Sequence, residues 1–154
     1  MADRRPPETR ESYFHFRTMP TRWMDNDQYA HVNNVVYYSF FDTLLNRYLI
    51  DEGGFDFRND PIIGIAVETN CRFHKSFAYP EDIEGGLRIG HLGKSSVRYE
   101  IGLFARNARD MTAERDDMAL RYNVEVTLHE FDALETDGFA GFIDGLPALP
   151  HIAV

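Results

Sequence analysis

The stretch NVVYYSFFDTLLNRYLI, residues 34–50, decides the fold. Within it Tyr37, Phe40, Phe41, Leu44, Leu45 and Tyr48 recur every three or four residues, the period of an α-helix. Ser39, Asp42, Thr43 and Asn46 fill the narrower side. An apolar stripe this wide needs a cover, so the helix is predicted to lie largely buried. Asn33 or Asn34 can cap its start, and Gly53–Gly54 supplies a stop. Asp42, Asn46 and Arg47 interrupt the apolar run, which is too short and too polar to span a membrane.

On either side of this helix the period changes to two. Tyr13–Thr18 reads as a short first strand. After Pro61, the residues Ile63, Ile65, Val67, Thr69, Cys71 and Phe73 alternate with smaller or polar partners, predicting a long strand with one buried face. Cys71 falls on that face as packing. Alternation returns at Ile83–Ile89 and, beyond the HLGKSS hairpin turn, at Val97–Leu103, then again at Tyr122–Leu128. Residues 106–117 form a charged connection, and the tail after Thr136 reads as irregular. One helix with one apolar face and one antiparallel sheet give an α+β domain in which the sheet curls around the helix. Residues 1–12, with prolines and charges, read as a disordered arm, leaving 13–154 as a single domain.

The totals narrow the function. Hydrophobic residues make up 44% of the chain and aromatic residues 14%, as in a folded globular protein. A net charge of -9 argues against a general nucleic-acid or anionic-membrane binder, which needs a basic face, although a local basic patch stays open. The single cysteine excludes an intrachain disulfide framework and fits a reducing cytosol. The first residues lack the apolar run of a secretory signal, so a cytoplasmic protein is expected.

The chemistry gathers just before the helix, in RWMDNDQYAHVNN, residues 22–34. A calcium loop fails there, because Tyr29, Ala30 and Val36 stand where a ligand, the turn glycine and the closing glutamate belong. Asp25, Asp27 and His31 are too few His and Cys ligands for zinc, and no phosphate-binding glycine pattern or nucleophile elbow occurs. No metal and no cofactor are expected. What is left is a carboxylate, a histidine and two amides ahead of a helix start. Free N–H groups there carry about half a positive charge and can stabilise an oxyanion. A carboxylate beside them can attack a carbonyl or activate water, which suits acyl transfer from an activated ester such as a thioester. Asp and Asn are also the ordinary residues of helix-capping loops, and composition alone does not choose between the two.

RWMDNDQYAHVNNVVYYSFFD resembles the signature of the hotdog-fold acyl-CoA thioesterases of the 4-hydroxybenzoyl-CoA thioesterase-like group, approximately Asp-x-Asp-x-x-Gly-His-Val-Asn-Asn-x-x-Tyr. FAYPEDIE and LGKSSVRYEI extend the likeness, which covers residues 13 to about 105. The resemblance implies a hotdog fold, a curved antiparallel sheet wrapped around a long central helix. It also implies homodimers or homotetramers with active sites at the dimer interface. It makes Asp27 the catalytic carboxylate, as nucleophile or general base, and Asp25 structural. Ala30 stands where many relatives carry glycine; its N–H or that of His31 would face the thioester carbonyl, and its methyl restricts the backbone. His31 and Asn33 would orient loop or substrate. The phosphates of coenzyme A, present as part of the substrate, would need basic or N–H-rich surface: Arg72, His74 and Lys75, or Lys94, Ser95 and Ser96. Tyr37, Phe40 and Phe41 would line the acyl pocket. The resemblance thus implies hydrolysis of acyl-CoA to acid and free CoA. Action on acyl-carrier-protein thioesters and a non-catalytic acyl-CoA-binding module are the alternatives. After residue 106 the likeness is poor.

Overall fold

The computed structural model describes residues 8–94 and 96–106, and residues 120–130 as backbone. In chain order its elements are β1 (His15–Pro20), α1 (Asn34–Asp51), β2 (Ile62–Arg72), β3 (Asp82–Leu92), β4 (Ser96–Arg106) and β5 (Leu120–Glu130). Short 3-10 turns occupy Arg10–Ser12 and Trp23–Asp25. The strands form one antiparallel sheet in the order β1-β3-β4-β5-β2. With the helix packed against the sheet, this is the α+β hotdog architecture that the sequence implied. Arg106, the first residue of the charged connection, ends β4; the rest of the connection and the tail lie outside the described residues.

Asn33 caps α1, its side chain accepting from the N–H of Val35 at 3.0 Å. Beyond the last turn Gly54 takes φ 66°, a left-handed conformation that glycine adopts without a Cβ penalty. The six predicted apolar residues, Tyr37 to Tyr48, are all buried. They join Met19, Ile83, Leu87, Val97, Tyr99 and Ile101 in one core. Each such side chain contributes about 1.5–3 kcal/mol by leaving water. Gly85 lets the helix approach β3: a Cβ there would stand 2.8 Å from Leu44 and 2.9 Å from Met19.

Residues 8–12, read from sequence as part of an arm, lie against the sheet. Arg10 pairs with Glu84 and stacks 4.7 Å over the Phe104 ring, and Glu8 pairs with Arg88. Arg88 is itself buried and bonded to its cross-strand neighbour Glu100.

β2 departs from expectation. Its apolar face is not buried in the single chain: Ile65 is 40% exposed, Val67 56% and the following Phe73 51%. The reason is position. β2 is the last strand of the sheet, whereas the helix packs with residues of β1, β3 and β4. A bulge between Ala66 and Glu68 also breaks the alternation.

Candidate active site

The loop between β1 and α1 is held by its main chain. Asp27 N–H donates to the carbonyl of His31 at 2.8 Å, and Ala30 N–H donates to the carbonyl of Asp27 at 3.1 Å. Two further bonds tie the loop to the segment after β2. Val32 N–H donates to the Phe77 carbonyl at 2.8 Å, and Tyr79 N–H donates to Asn26 Oδ1 at 3.0 Å.

The two acids part company here. Asp25 is 1% exposed. It accepts from the Arg22 backbone at 2.7 Å and from Arg22 Nε and Nη2 at 3.0 and 2.8 Å, while its carbonyl accepts from Asn33 N–H at 2.9 Å. That is the work of a loop anchor. Asp27 is half-buried, and among the described residues Oδ1 accepts one hydrogen bond, from Tyr29 N–H at 2.8 Å. Asp27 lines a cavity of about 370 Å³ together with Val32, Asn34, Tyr37, Phe73, His74, Lys75 and Ser76.

The N–H groups of the loop that lack an acceptor are the ones that could meet a carbonyl. Within 27–36, the N–H groups of Asp27, Tyr29, Ala30, Val32, Asn33, Val35 and Val36 all have acceptors. Those of Gln28, His31 and Asn34 have none among the described residues. Ala30 N–H is therefore committed to its own turn, which removes one of the two donors expected from sequence. His31 keeps a free N–H. Asn34, the first residue of α1, has both a free N–H and a place on the cavity wall. Ala30 sits at φ 61°, the left-handed region, which accounts for glycine being the residue expected at that place.

Residues 29–112 match the Thioesterase superfamily. The chain belongs to that superfamily. It is similar to the PA5185 protein of Pseudomonas aeruginosa, with 38% identity over 97% of this chain and 100% of that one and a TM-score of 0.78. The DHNA-CoA thioesterase of Staphylococcus aureus has 18% identity over 76% of this chain and 74% of its own, at TM-score 0.64. BH1999, a gentisyl-coenzyme A thioesterase, has 15% identity over 83% of this chain and 99% of its own, at TM-score 0.66. At such identities these two likenesses show the fold alone. No curated protein sequence matches. The chain is a thioesterase, an enzyme that hydrolyses thioesters.

Within this thioesterase the expected site residues separate. Asp27, Tyr37, His74 and Lys75 come together in the cavity. Asn33 serves as the helix cap, and the His31 side chain is exposed with no partner among the described residues. Phe41 is in the core, and Phe40 lines a different cavity, between β1 and α1. Both stand a turn beyond Tyr37, where the helix faces the sheet rather than the loop. Arg72 is exposed and off the cavity wall. Lys94 and Ser96 flank the β3–β4 turn, at the far end of β3 from the loop, about 30 Å along the strand. Ser95 lies outside the described residues. Sequence reasoning missed Val32, Asn34, Phe73 and Ser76. Only the N1 position of Asn34 gave a readable signal, an orphan N–H at a helix start.

Tyr37 is the wall's fixed point. Its hydroxyl accepts from Phe77 N–H at 3.1 Å, and its ring meets Phe73 edge-on at 5.3 Å. Burial raises its pKa, so the phenol stays neutral near neutral pH. Burial likewise raises the Cys71 thiol to about 11, in keeping with inert packing. Among the described residues no group of three His, Cys, Asp or Glu could hold a metal, and no helix is long and apolar enough to cross a membrane.

Proposed function

We propose that the chain hydrolyses acyl-CoA thioesters, with Asp27 as the catalytic carboxylate. The observation that carries this reading is the shared cavity: Asp27 and Asn34, whose N–H has no acceptor among the described residues, line the same wall. The thioester carbonyl accepts from Asn34 N–H at the positive end of α1, with His31 N–H as second donor. Asp27 then works by one of two routes. As nucleophile it adds to the carbonyl, expels the CoA thiolate and leaves an acyl anhydride that water cleaves. As general base it takes a proton from water, whose oxygen adds instead. Both consume one water and yield acid and free CoA, and the thiolate departs without a strong general acid.

Lys75 and His74 give the cavity its basic side, suited to the anionic parts of coenzyme A. The active form is a homodimer or homotetramer in the cytoplasm. Among the described residues β2 ends the sheet, and with exposed Ile65, Val67 and Phe73 this supports association through that strand. Since Phe73 also lines the cavity, a second copy there would help enclose the acyl group.

The test is turnover of a panel of acyl-CoAs by the wild-type chain and Asp27→Asn. Activity retained in the variant refutes the role of Asp27. Acyl-CoA binding without turnover by the wild type marks a binding module. Preference for carrier-protein thioesters over CoA esters supports the other substrate class.

A further inference from the structure

Arg17, Arg22 and Arg47 converge on a groove of about 440 Å³ between β1 and α1, floored by Met19, Pro20 and Phe40. Its volume falls within the range of small-molecule sites. Helix α1 turns one stripe to it, Phe40, Thr43 and Arg47, whereas Asn34 and Tyr37 face the Asp27 cavity. The two concavities share no lining residue.

Three guanidinium groups meet two carboxylates here. Asp51 pairs with both Arg17 and Arg47, the latter at 2.9 Å, and buried Asp25 holds Arg22. The groove therefore carries a surplus positive charge on a chain whose net charge is -9. Nε of Arg17 is buried and donates to nothing among the described residues. A buried N–H without a partner is costly, which marks Arg17 as a guanidinium whose hydrogen bonding its protein partners leave incomplete. Two of the three lining hydroxyls, Ser39 and Thr43, already donate to the Val36 and Ser39 carbonyls at 2.7 and 2.6 Å, and Thr18 Oγ1 accepts from Arg106 at 2.8 Å. Guanidinium is the principal side-chain donor of the groove, and its planar fork matches oxyanions.

We infer that this groove binds a small organic anion, a carboxylate or phosphate head gripped by Arg17 and Arg47, with its body over Met19 and Phe40. The ion pairs to Asp51 hold the two guanidinium groups in place, and the apolar floor takes a neutral tail that water-exposed arginines alone would not.

Calorimetric titration of the full chain with octanoate and with pyrophosphate tests this. Saturable binding of at least one is expected, weakened about tenfold or more in Arg47→Gln. Thr43→Trp, which fills the groove from an exposed helix position, should abolish it, and Asp27→Asn should bind as the wild type does. Binding of octanoate alone assigns a carboxylate amphiphile; binding of pyrophosphate alone assigns a phosphate. No saturation by either at millimolar concentration overturns the inference. So does binding unchanged in both groove variants, or binding lost in Asp27→Asn, which would place it in the other cavity. Circular dichroism checks that each variant is folded. These titrations do not depend on thioester turnover, so the groove and the proposed reaction can fail separately.

Discussion

Helix α1 borders two concavities built by opposite means. The Asp27 cavity is made of short, nearly contiguous segments, 27–37 and 73–76, fixed by main-chain bonds such as Asp27 N–H to the His31 carbonyl. The arginine groove is made of long side chains from β1 and from the middle of the helix, fixed by ion pairs. The difference is one of rigidity. Main-chain bonds set a carboxylate and an orphan N–H within narrow limits, as a reaction requires. Arginines on flexible stems can follow ligands of different shape.

The strongest way to break this comparison is Asp27→Asn. If the reaction depends on that carboxylate, turnover of the preferred acyl-CoA falls about 10³-fold, within the usual range for a general base. Stability should change little, because Asn can still accept from Tyr29 N–H. A fall of less than tenfold would detach the rigid loop from the chemistry.

Asp25→Asn probes the point where the two regions touch, since Asp25 anchors the loop and holds Arg22 of the groove. Losing charge-assisted bonds at a buried position should lower the melting temperature by about 5 °C. Turnover should fall as the loop loosens. An unchanged melting temperature would show that the main-chain bonds suffice alone.

A smaller effect comes from His15, on the strand that supplies Arg17. Burial lowers its pKa from 6.5, Arg17 adds to the shift, and Glu52 and Asp51 oppose it. The unfolded chain therefore takes up the proton first as pH falls. The stability contributed by neutral His15 is fully present above 6.5 and is lost progressively below it, until the folded form titrates as well. Melting temperature should drop between about pH 7 and pH 5. His15→Gln should flatten the part of that slope due to this residue, and an identical slope in the variant would refute the assignment.

The same contrast explains what could be read in advance. Tyr37 to Tyr48 and the alternating strands were legible because periodicity is local. The exposure of Ile65 and Val67 was not, because β2's place at the sheet edge is a property of topology. Asp27 and His74 stood out as charged or basic residues near a motif, but their meeting in one cavity depends on Val32 bonding to Phe77. Asn34 differs from Ala30 in whether its N–H has an acceptor, which the folded loop sets and the residue types do not. Arg17, Arg22 and Arg47 each look like solvated charge in sequence, and their convergence requires β1 to lie beside the helix.

The finest test concerns Ala30, which holds φ 61° in the rigid loop. A left-handed conformation costs an L-residue about 1–2 kcal/mol. Glycine removes that cost but gives the unfolded chain freedom worth about 0.4–1 kcal/mol, so Ala30→Gly should stabilise by roughly 0.5–1 kcal/mol. The melting temperature should rise by about 2 °C. Ala30→Val should do the reverse, because a β-branched side chain is a poorer occupant of the left-handed region. If main-chain bonds set the loop, as Asp27 N–H to His31 and Ala30 N–H to Asp27 imply, turnover in Ala30→Gly stays within about twofold of wild type. A larger loss with the melting temperature raised would show that the methyl, and not the bond network, holds Asp27 in its working position.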